Sequence, residues 1–314
     1  MTPLPRQGDP LEELHFALEE GGAERPPHRL GQTVLESALA ARSAGRPVGE
    51  PPPISPVEAF RRAVTAVDEV LTSLAPAEWR RPALRGLDVQ HLVGHLTGVE
   101  RDFHTGLTAP EGVHGDDDHV TATDPTVAAQ SGRTPAETYD EWREAAAETL
   151  GALRDVEGSS AVLGAVVPLH GLYMPLGQLL VVRTFELWTH EEDIRRATGR
   201  ALQPPDAASL RLMTDLAVAM LPGVMGGAER SGEGRVARIV LTGAGGGTWQ
   251  MHLGSSPHAP SPEGSVDVRI VLDAVDFCRL VANRVDPAAL AAVVTGDPVL
   301  ATDLFVGAAS LALD

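Results

Sequence analysis

PLGQLLVVRTFELWTHEEDIRRATG, residues 175–199, holds a helix start, a helix stop and two ligand-type side chains in one segment. Pro175 suits the opening of a helix and Gly199 suits its end. Glu186 and His190 are four residues apart, so they lie one turn apart on one face, where both can reach a single ion. Phe185, Leu187 and Trp188 supply apolar neighbours and turn that face towards a core.

Three more helices precede it. SPVEAFRRAVTAVDEVLTSL (55–74) offers Ser55 as a cap and Pro56 in the first turn, with Phe60, Val64, Val67, Val70 and Leu71 at helical spacing. DVQHLVGHLTGVERDFHTGL (88–107) opens at Asp88 and places Val89, Leu92, Val93, Leu96, Val99 and Phe103 on one stripe. Thr134 caps TPAETYDEWREAAAETLGALRDV (134–156). The polar stretch Thr108–Arg133 between the second and third reads as a long loop. Four helices of this kind predict a bundle over residues 56–200.

Residues 1–55 form an N-terminal extension: an acidic amphipathic piece (Pro10–Glu20), a helical piece (His28–Ala44) and the linker RPVGEPPPISP, whose proline run cannot continue a helix. Beyond Gln203–Pro205 comes a helix over Asp206–Met220. The period then falls to two in VARIVLTG, GTWQMHLG and VDVRIVLD, which predicts three strands. Helices over Ala274–Arg284 and Pro298–Leu313 complete a second domain, residues 201–314. The expected fold class is α+β, a four-helix bundle followed by a smaller α+β domain with an antiparallel sheet.

Composition narrows the function. The 314 residues are 43% hydrophobic and carry a net charge of -18. There is no lysine, so all 25 basic residues are arginine, and the abundance of alanine beside them marks a GC-rich coding sequence of the kind found in high-GC bacteria. Such a chain does not neutralise phosphates, which sets nucleic acid aside. No stretch has signal-peptide or membrane-span length, so a cytoplasmic protein with no membrane partner is expected. Cys278 is the single cysteine, which rules out an internal disulfide and cysteine-rich zinc sites; any metal must rest on histidine and carboxylate.

His95 lies mid-helix among apolar residues, where an unpaired imidazole is poorly satisfied. With Glu186 and His190 it makes three ligands and an open fourth position, the arrangement of catalytic zinc. Glu-x-x-x-His also occurs by chance on many surface helices, and His91 forms its own i, i+4 pair with His95, so spacing alone leaves the set open. Asp193, one turn from His190, reads either as an acceptor fixing that ring or as a solvated acid. His104, His114, His119 and His170 receive no role, and Asp116–Asp118 reads as a hydrated loop.

DVQHLVGHLTGVERDF (88–103) resembles the histidine-bearing helix of the mycothiol-dependent maleylpyruvate isomerase family, part of the DinB-like superfamily. VRTFELWTHEEDIRRATGR (182–200) resembles its R-x-x-E-x-W-x-H-x-x-D-I-x-x-A-x-G helix. The resemblance implies a metal-binding bundle over about 56–199 and a sterol-carrier-like C-terminal domain. It implies that His95, Glu186 and His190 hold Zn2+ or another divalent metal, with mycothiol as the cofactor. It further implies a catalytic arginine after a leucine-containing helix, here Arg284 in CRLVANRVDP, with Asn283 where the family has glycine. Leu87 stands where the family has a tryptophan before Asp88.

The expected activity is that of an isomerase or thiol S-transferase in which a metal-activated thiolate adds to an electrophilic or unsaturated substrate. Arg284 would hold a substrate carboxylate. The expected partners are a small-molecule thiol and that substrate. The alternative is a non-catalytic metal-dependent sensor or partner-binding protein, with residues 1–55 docking a protein partner; a lipid carrier built on the second domain alone ranks third.

Overall fold

Ser55 opens the first long helix, α1 (Pro56–Thr72): its hydroxyl accepts from the Glu58 N–H at 3.0 Å. The computed structural model describes residues 50–109, 119–154, 156, 158–225, 234–253 and 266–312, all inside one unit that spans 48–314. The expected helices of the N-terminal extension lie outside the described residues.

After α1 a short hairpin, β1 (Pro82–Leu84) and β2 (Leu87–Asp88), turns through Arg85 and Gly86, whose φ angles are +47° and +83°. Asp88 then caps α2 (Val89–Thr108), accepting from the His91 N–H at 2.9 Å. Residues 119–132, expected as loop, instead contain α3 (His119–Ala122), α4 (Asp124–Ala129) and a 3-10 turn (Gln130–Gly132). Their order comes from packing on α2. A Cβ at Gly98 would fall 2.4 Å from Thr126 Oγ1 and 2.9 Å from Thr123 Cγ2, so the missing side chain is what lets the segment sit there. Local composition does not reveal such a contact.

Thr134 and Glu137 form a reciprocal capping box at the start of α5 (Pro135–Leu153). One turn, α6 (Ser160–Leu163), leads to a second hairpin, β3 (Val166–Leu169) and β4 (Leu172–Pro175). Its two-residue turn is His170 and Gly171, at φ +43° and +77°. Then comes α7 (Leu176–Thr198). Gly199 at φ +71° closes it, with the Arg200 N–H reaching back to the Arg195 carbonyl at 2.9 Å.

The four long helices α1, α2, α5 and α7 form the expected bundle, with α1 packed along α7 and α2 along α5. Phe60 and Phe103 meet edge to face in its core, ring centres 6.0 Å apart, among Leu92, Leu96, Trp142, Leu180 and Leu187.

The remaining elements are α8 (Ala207–Met225), β5 (Val236–Thr242), β6 (Gly247–His252), β7 (Val268–Asp273), α9 (Ala274–Val281), β8 (Val293–Gly296) and α10 (Pro298–Ala309). The sheet order is β6-β5-β7-β8. The two outer pairings are antiparallel, while β5 and β7 at the centre run parallel, so the sheet expected as antiparallel is mixed. A period of two identifies strands and carries no direction. Strand β8 is an addition: its four residues are largely exposed and show no alternation. Helix α8 is long and apolar enough to cross a membrane by length and composition, but half of its apolar window is buried. Leu210, Met213, Ala217 and Leu221 enter the same core as the sheet.

Helix α7 serves both cores. Leu179, Leu187 and Ile194 enter the bundle, and Val181 and Trp188 enter the core around the sheet. It is therefore buried on nearly every side, including Arg183, His190, Glu191, Glu192 and Asp193. Buried charge is tolerated where it is paired. Accordingly, Glu192 takes Arg279 of α9 at 2.7 Å and Asp193 takes Arg284 at 3.0 Å.

Candidate metal centre

His95 comes from the middle of α2, and Glu186 and His190 come from one face of α7. One ligand atom from each of the three lies within 4.8 Å of the other two. The His95 and His190 rings stand nearly perpendicular, centres 5.3 Å apart.

Hydrogen bonds behind the rings set which nitrogens face inward. Thr123 donates its hydroxyl hydrogen to the Val120 carbonyl, so it must accept from His95 Nδ1–H at 2.7 Å. That leaves His95 Nε2 with a lone pair, 3.4 Å from Glu186 Oε1. Burial also pushes the His95 imidazole to a lower pKa, against the pull of Glu186, and so favours the neutral ring that a metal requires. His190 Nδ1 lies 3.2 Å from Asp193 Oδ2; a carboxylate only accepts, so Nδ1 carries the hydrogen and Nε2 is open. The sequence left two readings for Asp193, and it takes the acceptor's place here.

Glu186 is oriented from behind by Arg183, which is fully buried and donates to Glu186 Oε2 and, at 2.6 Å, to Glu100 Oε1. Burial works to raise the Glu186 pKa, but the Arg183 charge, aided by His119 and His95, holds it well below the usual carboxylate range. Its other oxygen, Oε1, is buried with no hydrogen-bond donor aligned on it among the described residues, although His119 Nε2 lies 3.2 Å away. An ionised oxygen and two imidazole lone pairs converging without hydrogens between them are the donor set of a divalent metal, and the residues fit one.

Two histidines without a role in the sequence reading join this centre. His119 is buried beside Glu186, and its Nδ1 lies 2.9 Å from His170 Nδ1, whose Nε2 in turn meets Asp102 Oδ2 at 2.9 Å. His170 reaches this point because the β3–β4 turn holds it at positive φ. His91 belongs elsewhere, bonded to Asp88 and Ser131. His114 and Asp116–Asp118 lie outside the described residues.

A cavity of about 760 Å³, counted to its open mouth, adjoins the centre, lined by His119, Glu186, His190 and Arg284 among apolar side chains. Arg284 owes its place to a helix terminus. The Asn283 N–H bonds the Leu280 carbonyl at 2.9 Å and the Arg284 N–H bonds the Arg279 carbonyl at 2.8 Å, a Schellman closure with Asn283 at φ +54°. Asparagine is among the few residues that tolerate this conformation in place of glycine. The Arg284 guanidinium donates from Nε and Nη2 to Asp193 and from Nη1 to the Ala282 carbonyl.

Residues 60–195 match the family model described as the mycothiol maleylpyruvate isomerase N-terminal domain. The bundle is therefore similar to that family's N-terminal domain. Two solved structures, one of mycothiol-dependent maleylpyruvate isomerase and one of a histidine-to-alanine mutant of it, share the fold of this chain. Each is 16% identical in sequence, covers 73% of this chain and 88% of its own, and superposes with a TM-score of 0.52 and 0.51 respectively. No curated protein matches the sequence.

Arg183 was visible in the sequence as the arginine of the R-x-x-E-x-W-x-H pattern, three residues before Glu186, but only its burial beside Glu100 gives it a task. No spacing rule points to His119 or His170, which reach the centre through a packed segment and a hairpin turn.

Proposed function

We propose that His95, Glu186 and His190 hold one divalent metal, with zinc the best fit to a nitrogen–oxygen set with an open position. The protein would then act as a mycothiol-dependent isomerase or thiol S-transferase of the maleylpyruvate isomerase type. The observation that carries this reading is the convergence of the three ligand atoms within 4.8 Å of one another, each oriented from behind by its own partner. A bound metal would keep a thiol ionised at neutral pH, supplying a nucleophile for an electrophilic or unsaturated substrate.

The chain's own residues prepare that chemistry. Thr123 and Asp193 fix the two rings, Arg183 keeps Glu186 ionised, and the adjoining cavity offers mostly apolar walls. Cys278 is not the thiol: it is fully buried, and burial pushes its pKa up, away from thiolate. An external thiol such as mycothiol fits this arrangement. Arg284 is the residue we assign to face the substrate from the C-terminal wall.

The test is calorimetric titration of mycothiol into zinc-loaded and zinc-stripped protein, with thiol consumption followed alongside. Binding that requires the metal, with turnover of an unsaturated electrophile, is the expected result. Equal binding by both forms, or binding without turnover of any electrophile, would overturn the enzymatic reading.

A further inference from the structure

The wall of the cavity beside the metal centre bears on the substrate. Leu172 and Met174 come from β4, Val182 and Phe185 from α7, and Leu216 and Met220 from α8, and together they make its surface overwhelmingly apolar. Among the described lining residues Arg284 is the one arginine. The whole chain contains no lysine, so no lysine side chain can supplement it, and the net charge of -18 repels anions at a distance.

The charge of Arg284 is also largely committed. Asp193 receives its Nε at 3.1 Å and its Nη2 at 3.0 Å, and both side chains are at least 90% buried. The two-pronged face that a substrate carboxylate would need is therefore occupied by a carboxylate of the protein itself. A dicarboxylate entering here would bury at least one charge without a counter-ion, which is costly. An apolar ligand would gain from every wall it touches, at about 25 cal/mol per Å² of surface removed from water.

On this basis, and resting on the functional reading above, we propose that the substrate of this chain is a hydrophobic electrophile carrying at most one negative charge, and that the cavity selects against dicarboxylates. Leu216, Met220, Met174 and Phe185 are the specificity-determining residues.

The test uses the zinc-loaded full-length chain and two probes of opposite character, benzylideneacetone and maleate, titrated by calorimetry without thiol so that binding is read apart from chemistry. Benzylideneacetone is expected to bind at least about tenfold more tightly than maleate, a difference of about 1.4 kcal/mol. Met220→Gln and Met174→Gln are expected to weaken it while metal content and thermal melting stay as in the wild type. Equal or tighter binding of maleate would overturn the proposal, as would benzylideneacetone binding that neither variant changes. Mycothiol consumption is measured separately. If it fails with both probes while the binding preference holds, the thiol-transfer reading falls and the selectivity of the cavity stands.

Discussion

Arg183 has no exposed surface and divides its guanidinium between Glu100 and Glu186. Burial raises the pKa of Glu100 against the pull of Arg183, whereas Glu186, held also by His119 and His95, stays ionised. Arg183→Met leaves both acids without their cation, a loss of about 3–5 kcal/mol for a broken buried pair. Urea denaturation of metal-free protein reads it directly, and Arg183→Lys should recover part of the loss; a change below about 1 kcal/mol would show that water reaches the pair. A second ion pair, at the far end of α7, gives a pH signature. Arg200 forks onto Glu78 at 2.7 and 3.0 Å, and with the Ala75 N–H it lowers the Glu78 pKa from 4.5 to about 2. A depressed carboxylate stabilises above its unfolded value and loses that contribution as pH falls through the folded one. The stability difference between wild type and Glu78→Gln should therefore hold above pH 4.5 and shrink towards zero at about pH 2. A difference that does not vary with pH over that window would contradict the pairing.

Among the elements, those with strong local signals were legible. Ser55, Asp88 and Thr134 cap where their sequence position says they should, and Gly199 ends α7 by the expected left-handed closure. Both hairpins escaped because their turns are Arg85-Gly86 and His170-Gly171 in place of the Asn-Gly or Asp-Gly that marks two positive φ angles. The 119–132 helices escaped because Gly94 and Gly98 on a different helix make room for them. The turn after α9 was half legible: the Asn283 departure from glycine reads as a break in pattern, yet the structure keeps the left-handed conformation. Asn283→Gly should accordingly leave stability within about 1 kcal/mol of wild type. Asn283→Val should cost roughly 1–2 kcal/mol, the penalty of a Cβ-bearing residue in that region, and disturb Arg284 with it. Thermal melts of the two variants distinguish the cases, and equal melting would contradict a conformational role for this position.

Across the whole molecule, the site joins parts that are distant in sequence. The convergence of Glu186 and His190 was legible, since they share one face of α7, and His95, named from the resemblance of α2, lies beside them. The cavity was not legible, because its walls come from β4, α7, α8 and the turn after α9. The contacts from His190 through Asp193 to Arg284 tie the candidate centre to the C-terminal part, so a metal bound there as proposed should be felt across both cores. The most direct measurement is the metal content of the purified full-length chain by elemental analysis, for wild type, His95→Ala, Glu186→Gln and His190→Ala. About one divalent metal per wild-type chain, falling at least roughly tenfold in each variant while the folded state persists, is the expected result. A wild-type chain that takes up no metal, or variants that retain it undiminished, would contradict the centre.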